Sequence, residues 1–134
     1  MRVRVAEHDD ASLEVMGRFL GVENVDASRE YLRGVDPKLE EHIVDFVYGQ
    51  VYSGQALDPK TRALVTVAML GTLDQQFQLS VYVESALRQG ATEEEIREVL
   101  RQVAVYAGFP TAWNGLATAS DVFTKRAAED PEPG

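Results

Sequence analysis

The chain contains no cysteine. That excludes disulfides, thiolate metal sites and thiol redox chemistry together. It also lacks any apolar run near the roughly 20 residues that a membrane-spanning helix needs. Its opening residues, Met1-Arg2-Val3-Arg4-Val5, lack the long apolar core and the small-residue cleavage site of a secretory signal, so the expected compartment is the cytoplasm. Basic residues are in deficit. Thirteen Lys and Arg stand against 22 Asp and Glu, for a net charge of -9. Nucleic-acid binding needs clustered cations, so it is not expected. The acidity itself serves solubility and points to no particular substrate. Clean strand-type alternation is missing as well. Val3 and Val5 could form a short extended piece at most.

What is present suits one folded domain. The chain has 134 residues, 45% of them hydrophobic, which is enough to build a core. The patterning is helical. Leu13, Met16, Phe19 and Leu20 share one helix face, with Asp10 or Ser12 as cap and Gly21 as stop. A polar link with a short turn through Tyr31 and Leu32 leads to Asp36. There, a cap followed by Pro37 predicts a second helix whose apolar face carries Leu39, Ile43, Phe46, Val47 and Val51. Asp58-Pro59 repeats that start. The segment from Arg62 to Leu73 is apolar nearly all round, which predicts a central helix or one packed on a partner subunit. A further helix runs from Phe77 to about Gln89 and stops at Gly90. Thr92 and Glu95 have the spacing of a capping box, and Ile96, Val99, Leu100 and Val103 follow on one face. Gly108 ends that helix. Pro110 opens the last one, with Leu116, Ala119, Val122 and Phe123 inward. The sequence therefore predicts one domain over residues 1–128 and an acidic, proline-containing tail over 129–134 that is expected to be disordered.

These features fall in a recognisable order. Met16-Gly17-Arg18-Phe19-Leu20-Gly21 precedes Val25-Asp26. Phe46-Val47-Tyr48-Gly49 comes next, then Leu57-Asp58-Pro59-Lys60-Thr61-Arg62-Ala63-Leu64-Val65-Thr66. Ala86-Leu87, Gly90, Glu94-Glu95-Ile96, Glu98-Val99, Tyr106-Ala107-Gly108, Pro110 and Asn114 complete the series. From about Ser12 to Ala127 the chain resembles the carboxymuconolactone decarboxylase family, within the wider alkylhydroperoxidase-like group. The resemblance implies an all-α helical bundle of about six helices. It also implies a homo-oligomer, trimer or hexamer, and decarboxylation without metal or organic cofactor.

Two branches of that group differ in chemistry. The peroxidase branch works through a CxxC pair, and placing its histidine at Tyr82 puts Gln75 and Gln78 at the cysteine positions. No sulfur nucleophile is available. The decarboxylase branch needs an electron sink at a carbonyl and proton delivery to the resulting enolate. The resemblance places its usual histidine at Tyr82 and its usual glutamate at Gln78. Gln does not titrate, and a phenol with an ordinary pKa of about 10 donates a hydrogen bond more readily than it shuttles a proton. General acid–base catalysis contributes about 100- to 10,000-fold. The expectation is a divergent member, poor on carboxymuconolactone and acting on another, more apolar or aromatic substrate.

The expected catalytic residues are Tyr82, His42 and Asn114. Tyr82 could hydrogen-bond an enolate or phenolate oxygen, or fill a core position at a subunit seam. His42 shares a face with Phe46 and Gly49, as a general base or as an exposed helix histidine. Asn114, with Trp113, follows Phe109-Pro110 at a helix start, where it could orient a carboxylate or cap the helix. Expected substrate-binding residues are Gln78, one turn before Tyr82; the aromatic pair Tyr48 and Tyr52; Trp113; and Arg62. The aromatic pair could wall a pocket or pack in the core. Arg62 could bind a carboxylate or form a structural ion pair. Glu84 faces away from Tyr82 and reads as surface charge. Glu93, Glu94 and Glu95 complement a helix dipole and do not read as a metal site. His8 beside Asp9 and Asp10 is set aside as a metal site, because a terminal segment is expected to be mobile. The reading is a cofactor-independent lyase-type enzyme on a cyclic or aromatic carbonyl compound, by decarboxylation or related proton transfer. The alternative is a non-catalytic small-molecule binder or accessory subunit.

Overall fold

A computed structural model describes residues 8–130. Val3, Val5 and the last four residues of the acidic tail lie outside the described residues. Every regular element among the described residues is helical. No described helix is long and apolar enough to cross a membrane. The chain forms two compact units that divide between Leu57 and Asp58.

The first unit holds α1 (Asp10–Leu20), a 3-10 turn (Val22–Asn24), α2 (Val25–Val35), α3 (Pro37–His42) and a π-helix (Ile43–Val51). Asp9, one residue before the expected caps, starts α1: its carboxylate accepts from the Ala11 N–H at 3.0 Å. Gly21 ends it with φ of 92°, a conformation that suits glycine. Where the sequence predicts a polar link, the chain forms α2. The residues it turns inward are Val25, Ser28, Arg29, Leu32 and Arg33. Their spacing is helical, but most are polar, so no apolar stripe announces the helix. α2 accounts for one more helix than the sequence predicts.

The Asp36 cap and Pro37 start form as expected, with the carboxylate accepting from the Leu39 N–H at 3.1 Å. After His42 the helix widens to π geometry, and the Tyr52 N–H reaches back five residues to the Val47 carbonyl at 2.7 Å. The wider turn changes which side chains are enclosed. Glu40, Val44 and Tyr48, spaced by four, are buried, whereas Phe46 is 56% and Val51 42% exposed. The predicted face assumed 3.6 residues per turn, which fails here. α1 packs on the π-helix. A Cβ on Gly49 would stand 2.5 Å from the Ser12 hydroxyl oxygen, so glycine is what permits this approach.

The second unit is a four-helix bundle of α4 (Pro59–Thr72), α5 (Gln76–Arg88), α6 (Glu93–Ala107) and α7 (Phe109–Glu129). Asp58 caps α4 through the Thr61 N–H at 2.8 Å. The capping box of α6 is complete: Glu95 N–H donates to the Thr92 hydroxyl at 3.0 Å, and Thr92 N–H to the Glu95 carboxylate at 2.9 Å. Glu95 also pairs with Lys60 at 2.9 Å, fastening α6 to the start of α4. The core is built from Ala63, Val67 and Gly71 of α4, Leu79, Val83 and Ala86 of α5, Ile96, Leu100 and Val103 of α6, and Ala112, Gly115, Ala119, Val122 and Phe123 of α7. The segment from Arg62 to Leu73, read as apolar nearly all round, turns only one face into this core. Met69 is 61% exposed on the other.

Candidate functional site

α5 carries the first pair of predicted residues. Gln78 and Tyr82 are four residues apart and so share a face. Gln78 is exposed and Tyr82 half-buried. Ser85 continues this stripe. It is fully buried, and its hydroxyl has no hydrogen-bond partner.

The turn before α5 joins this helix to α7. Asp74 adopts φ of 58°, the left-handed region that few side chains other than Asn and Asp tolerate. Its Oδ1 accepts from the Gln76 amide and, at 3.4 Å, from the Asn114 amide. Gln76 in turn accepts from the Thr118 hydroxyl at 2.6 Å. Asn114 is thus placed at the N-terminal end of α5 and bound to a carboxylate. The sequence offered no sign of this partner, which stands 40 residues away.

Trp113 lies one residue earlier on α7 and points elsewhere. With Arg101, Ala104, Phe109, Ala112 and Leu116 it lines an open, mainly apolar cleft of about 440 Å³ between α6 and α7. The Phe109–Trp113–Leu116 spacing is the helical signal that could have found this wall from sequence. Arg101 stands at its rim, bonded to Glu94 at 2.7 Å. That hydrogen bond, followed by the guanidinium charge, holds the Glu94 carboxyl below its usual range, and Glu94 raises Arg101 in return. A second cleft of about 330 Å³ lies between α4 and α6, with Leu64, Val65, Ala68 and Tyr106 among its walls. A third, of about 410 Å³, is more polar and includes Ser80, Glu84, Thr118, Asp121 and Lys125. Gln78, Tyr82 and Asn114 line none of these three. Arg62 sits half-buried near the start of α4, where its carbonyl accepts from the Thr66 hydroxyl at 3.1 Å. Glu84 lies 3.8 Å from Arg88, one turn on.

The remaining predicted residues belong to the first unit. His42 is the exposed last residue of α3. Tyr48 is 3% exposed and meets Tyr52 edge-on at 5.4 Å between ring centroids. Tyr52 meets Phe19 in the same manner at 5.0 Å. These rings form an aromatic core seam between α1 and the π-helix. His8 was set aside in the sequence reading. In the structure it is enclosed between Glu40 and Asp45, while its neighbour Asp9 is occupied in capping α1.

The described residues form an all-α fold, as in the alkylhydroperoxidase-like class to which the family below belongs. The chain belongs to the carboxymuconolactone decarboxylase family, whose profile matches residues 37–121. It is 32% identical over 111 residues to the 4-carboxymuconolactone decarboxylase of Acinetobacter baylyi, covering 83% of each chain. It is 29% identical over 130 residues to the nitrosuccinic acid decarboxylase npaB of Metarhizium robertsii, covering 92% of this chain and 89% of that one. An uncharacterized 15.0 kDa protein of Paracoccus denitrificans matches at 32% over 99 residues, 72% of this chain and 71% of its own. Family and relatives thus point to decarboxylase-type activity.

Proposed function

We propose that this protein is a cofactor-independent lyase that acts on a cyclic or aromatic carbonyl acid, with the chain working as a single family domain. The observation that carries this reading is the Gln78–Tyr82 pair on one face of α5, in a family with decarboxylase relatives. Loss of carbon dioxide breaks a C–C bond and leaves its electron pair on the substrate. A carbonyl next to that carbon takes up the pair as an enolate, which is then protonated. Tyr82 would donate a hydrogen bond to the enolate oxygen and Gln78 would hold a neighbouring carbonyl or amide. Asn114 would orient the substrate's polar end, and its bond to Asp74 would fix the amide rotamer. Arg62, in the same unit, would bind the substrate's carboxylate. A phenol replaces an imidazole in this scheme, so carboxymuconolactone itself should turn over poorly.

Assembly as a homo-oligomer, a trimer or hexamer, is part of the proposal. Met69 near the end of α4, Leu73 just after it and Phe77 at the start of α5 are 61%, 65% and 63% exposed. An apolar series of this kind suits a subunit contact. Light scattering on the purified protein tests it, and a monomer at all concentrations would reject it.

The direct experiment measures carbon dioxide release from a panel of acids, including carboxymuconolactone and nitrosuccinate. Tyr82→Phe serves as the variant. Turnover of a cyclic or aromatic acid that falls at least tenfold in Tyr82→Phe supports the assignment. Ordinary enzymatic rates on carboxymuconolactone would refute the claim of changed specificity. Full activity in Tyr82→Phe would remove the role given to the phenol.

A further inference from the structure

The first unit holds a buried charge network that the proposed chemistry leaves unused. His8 is fully enclosed, and each ring nitrogen faces a carboxylate. Nε2 lies 2.8 Å from Glu40 Oε1 and Nδ1 lies 2.8 Å from Asp45 Oδ1. Glu40 is itself 2% exposed and also accepts from Arg29 Nε at 3.0 Å. The segment leading into α1 thus meets α3 and the π-helix at one imidazole, and α2 reaches the same Glu40 carboxylate through Arg29.

Carboxylates only accept hydrogen bonds, and a neutral imidazole carries a single N–H. A neutral ring here would set one nitrogen lone pair against an oxygen lone pair at hydrogen-bond distance. The imidazolium, with two N–H groups, satisfies both contacts. It also balances charge: Arg29 and His8 offset Glu40 and Asp45. Glu40 is buried and keeps Arg29 as a partner, whereas the Asp45 side chain is 44% exposed.

We propose that His8 is a proton-held latch. Doubly protonated, it straps the start of α1 across α3 and the π-helix. Loss of one ring proton releases one of the two carboxylates and loosens the strap. The seam it secures is the one where Ser12 seats against Gly49 and Phe19 meets Tyr52. The latch therefore positions the helix that carries Tyr48. The charged groups facing the ring are Glu40 from α3 and Asp45 from the π-helix, and Arg29 from α2 bonds Glu40. On its own segment, the Asp9 carboxylate is taken by the Ala11 N–H. The contacts need the ring proton, so the strap holds on the acid side and weakens as pH rises.

The test is ring-nitrogen NMR on the full chain with labelled histidine, combined with amide exchange over a pH series. The sequence has two histidines, so His42→Asn assigns the His8 signals. At neutral pH both His8 ring nitrogens should carry hydrogen. Protection of the Ser12 and Leu13 amides, which bond to the Asp9 carbonyl, should fall roughly ten- to hundredfold as the ring loses its proton. In His8→Gln that pH-dependent step should vanish; if this variant does not fold, the wild-type measurements decide alone. A neutral His8 tautomer at neutral pH would overturn the proposal. So would amide protection that stays constant through the ring's titration.

Discussion

Replacing Gly71 by alanine should change sign in its effect on stability according to what stands at position 100. Leu100 is fully buried on α6, and its Cδ2 lies in a notch formed by two glycines, Gly71 of α4 and Gly115 of α7. A Cβ on Gly71 would meet Leu100 Cδ2 at 2.9 Å and Val103 Cγ2 at 3.4 Å; one on Gly115 would meet Leu100 Cδ2 at 3.1 Å. The optimum carbon–carbon separation is about 3.5–4.0 Å, so Leu100 must move. It has little room, because the second glycine bounds it on another side. Overpacking of this kind costs about 1–3 kcal/mol. Alanine in a helix interior recovers about 1 kcal/mol relative to glycine. The net for Gly71→Ala is a loss of about 0–2 kcal/mol. Leu100→Ala alone should cost about 2–5 kcal/mol, through lost burial and the cavity left behind. In that background the new methyl enters the cavity instead of colliding. Gly71→Ala then stabilises by about 1–2 kcal/mol, from helix propensity and about 0.8 kcal/mol per buried carbon. The coupling between the two sites is then about 1–4 kcal/mol, reaching the top of the range for residues in contact. Urea unfolding of the four proteins at one matched concentration measures it. If Gly71→Ala has the same effect in both backgrounds within about 0.5 kcal/mol, the notch is not what selects glycine there.

Three further outcomes are expected. Thr92→Ala removes the hydroxyl half of the α6 capping box and should lower stability by about 1 kcal/mol, whereas Thr92→Ser should keep most of it in thermal unfolding. Ser85→Ala removes a buried hydroxyl with no partner and should raise stability by up to about 1 kcal/mol; a loss of stability would mean that the hydroxyl is satisfied. The Asp58 carboxyl is held below its usual 3.8, chiefly by the Thr61 backbone N–H and then by the Thr61 side chain. Its contribution is therefore present above that value and disappears as pH falls through the lower, folded-state value. Acid denaturation should show the advantage of wild type over Asp58→Asn shrinking below about pH 3.8, and an advantage that does not change with pH would contradict the cap.

Much of the helical outline was legible from sequence because its signals act within four residues. Asp36-Pro37, Asp58-Pro59 and the Thr92–Glu95 box each satisfy backbone N–H groups at the helix start they mark. Gly90 and Gly108 take the positive φ angles that end a helix, 96° and 92°. The family, too, was readable, since it rests on the order of such local marks. α2 was not readable, because the face it turns inward is mostly Ser and Arg. The π-helix was not readable either, because the residues enclosed along α3 and the π-helix, Glu40, Val44 and Tyr48, repeat every four, a spacing that an ordinary α-helix shares.

Tertiary structure alone decided the partners of the candidate residues. Asn114 finds Asp74 across 40 residues, and His8 finds Glu40 and Asp45 across 32 and 37. The sequence determined which side chains could bond: an amide, three carboxylates, an imidazole. Which of them meet depends on how the helices pack, because a hydrogen bond forms only within about 3 Å and residues so far apart in the chain reach that distance only after the chain has folded. The same reasoning covers Tyr48, read as a pocket wall or a core ring with equal right until the packing of α1 on the π-helix enclosed it.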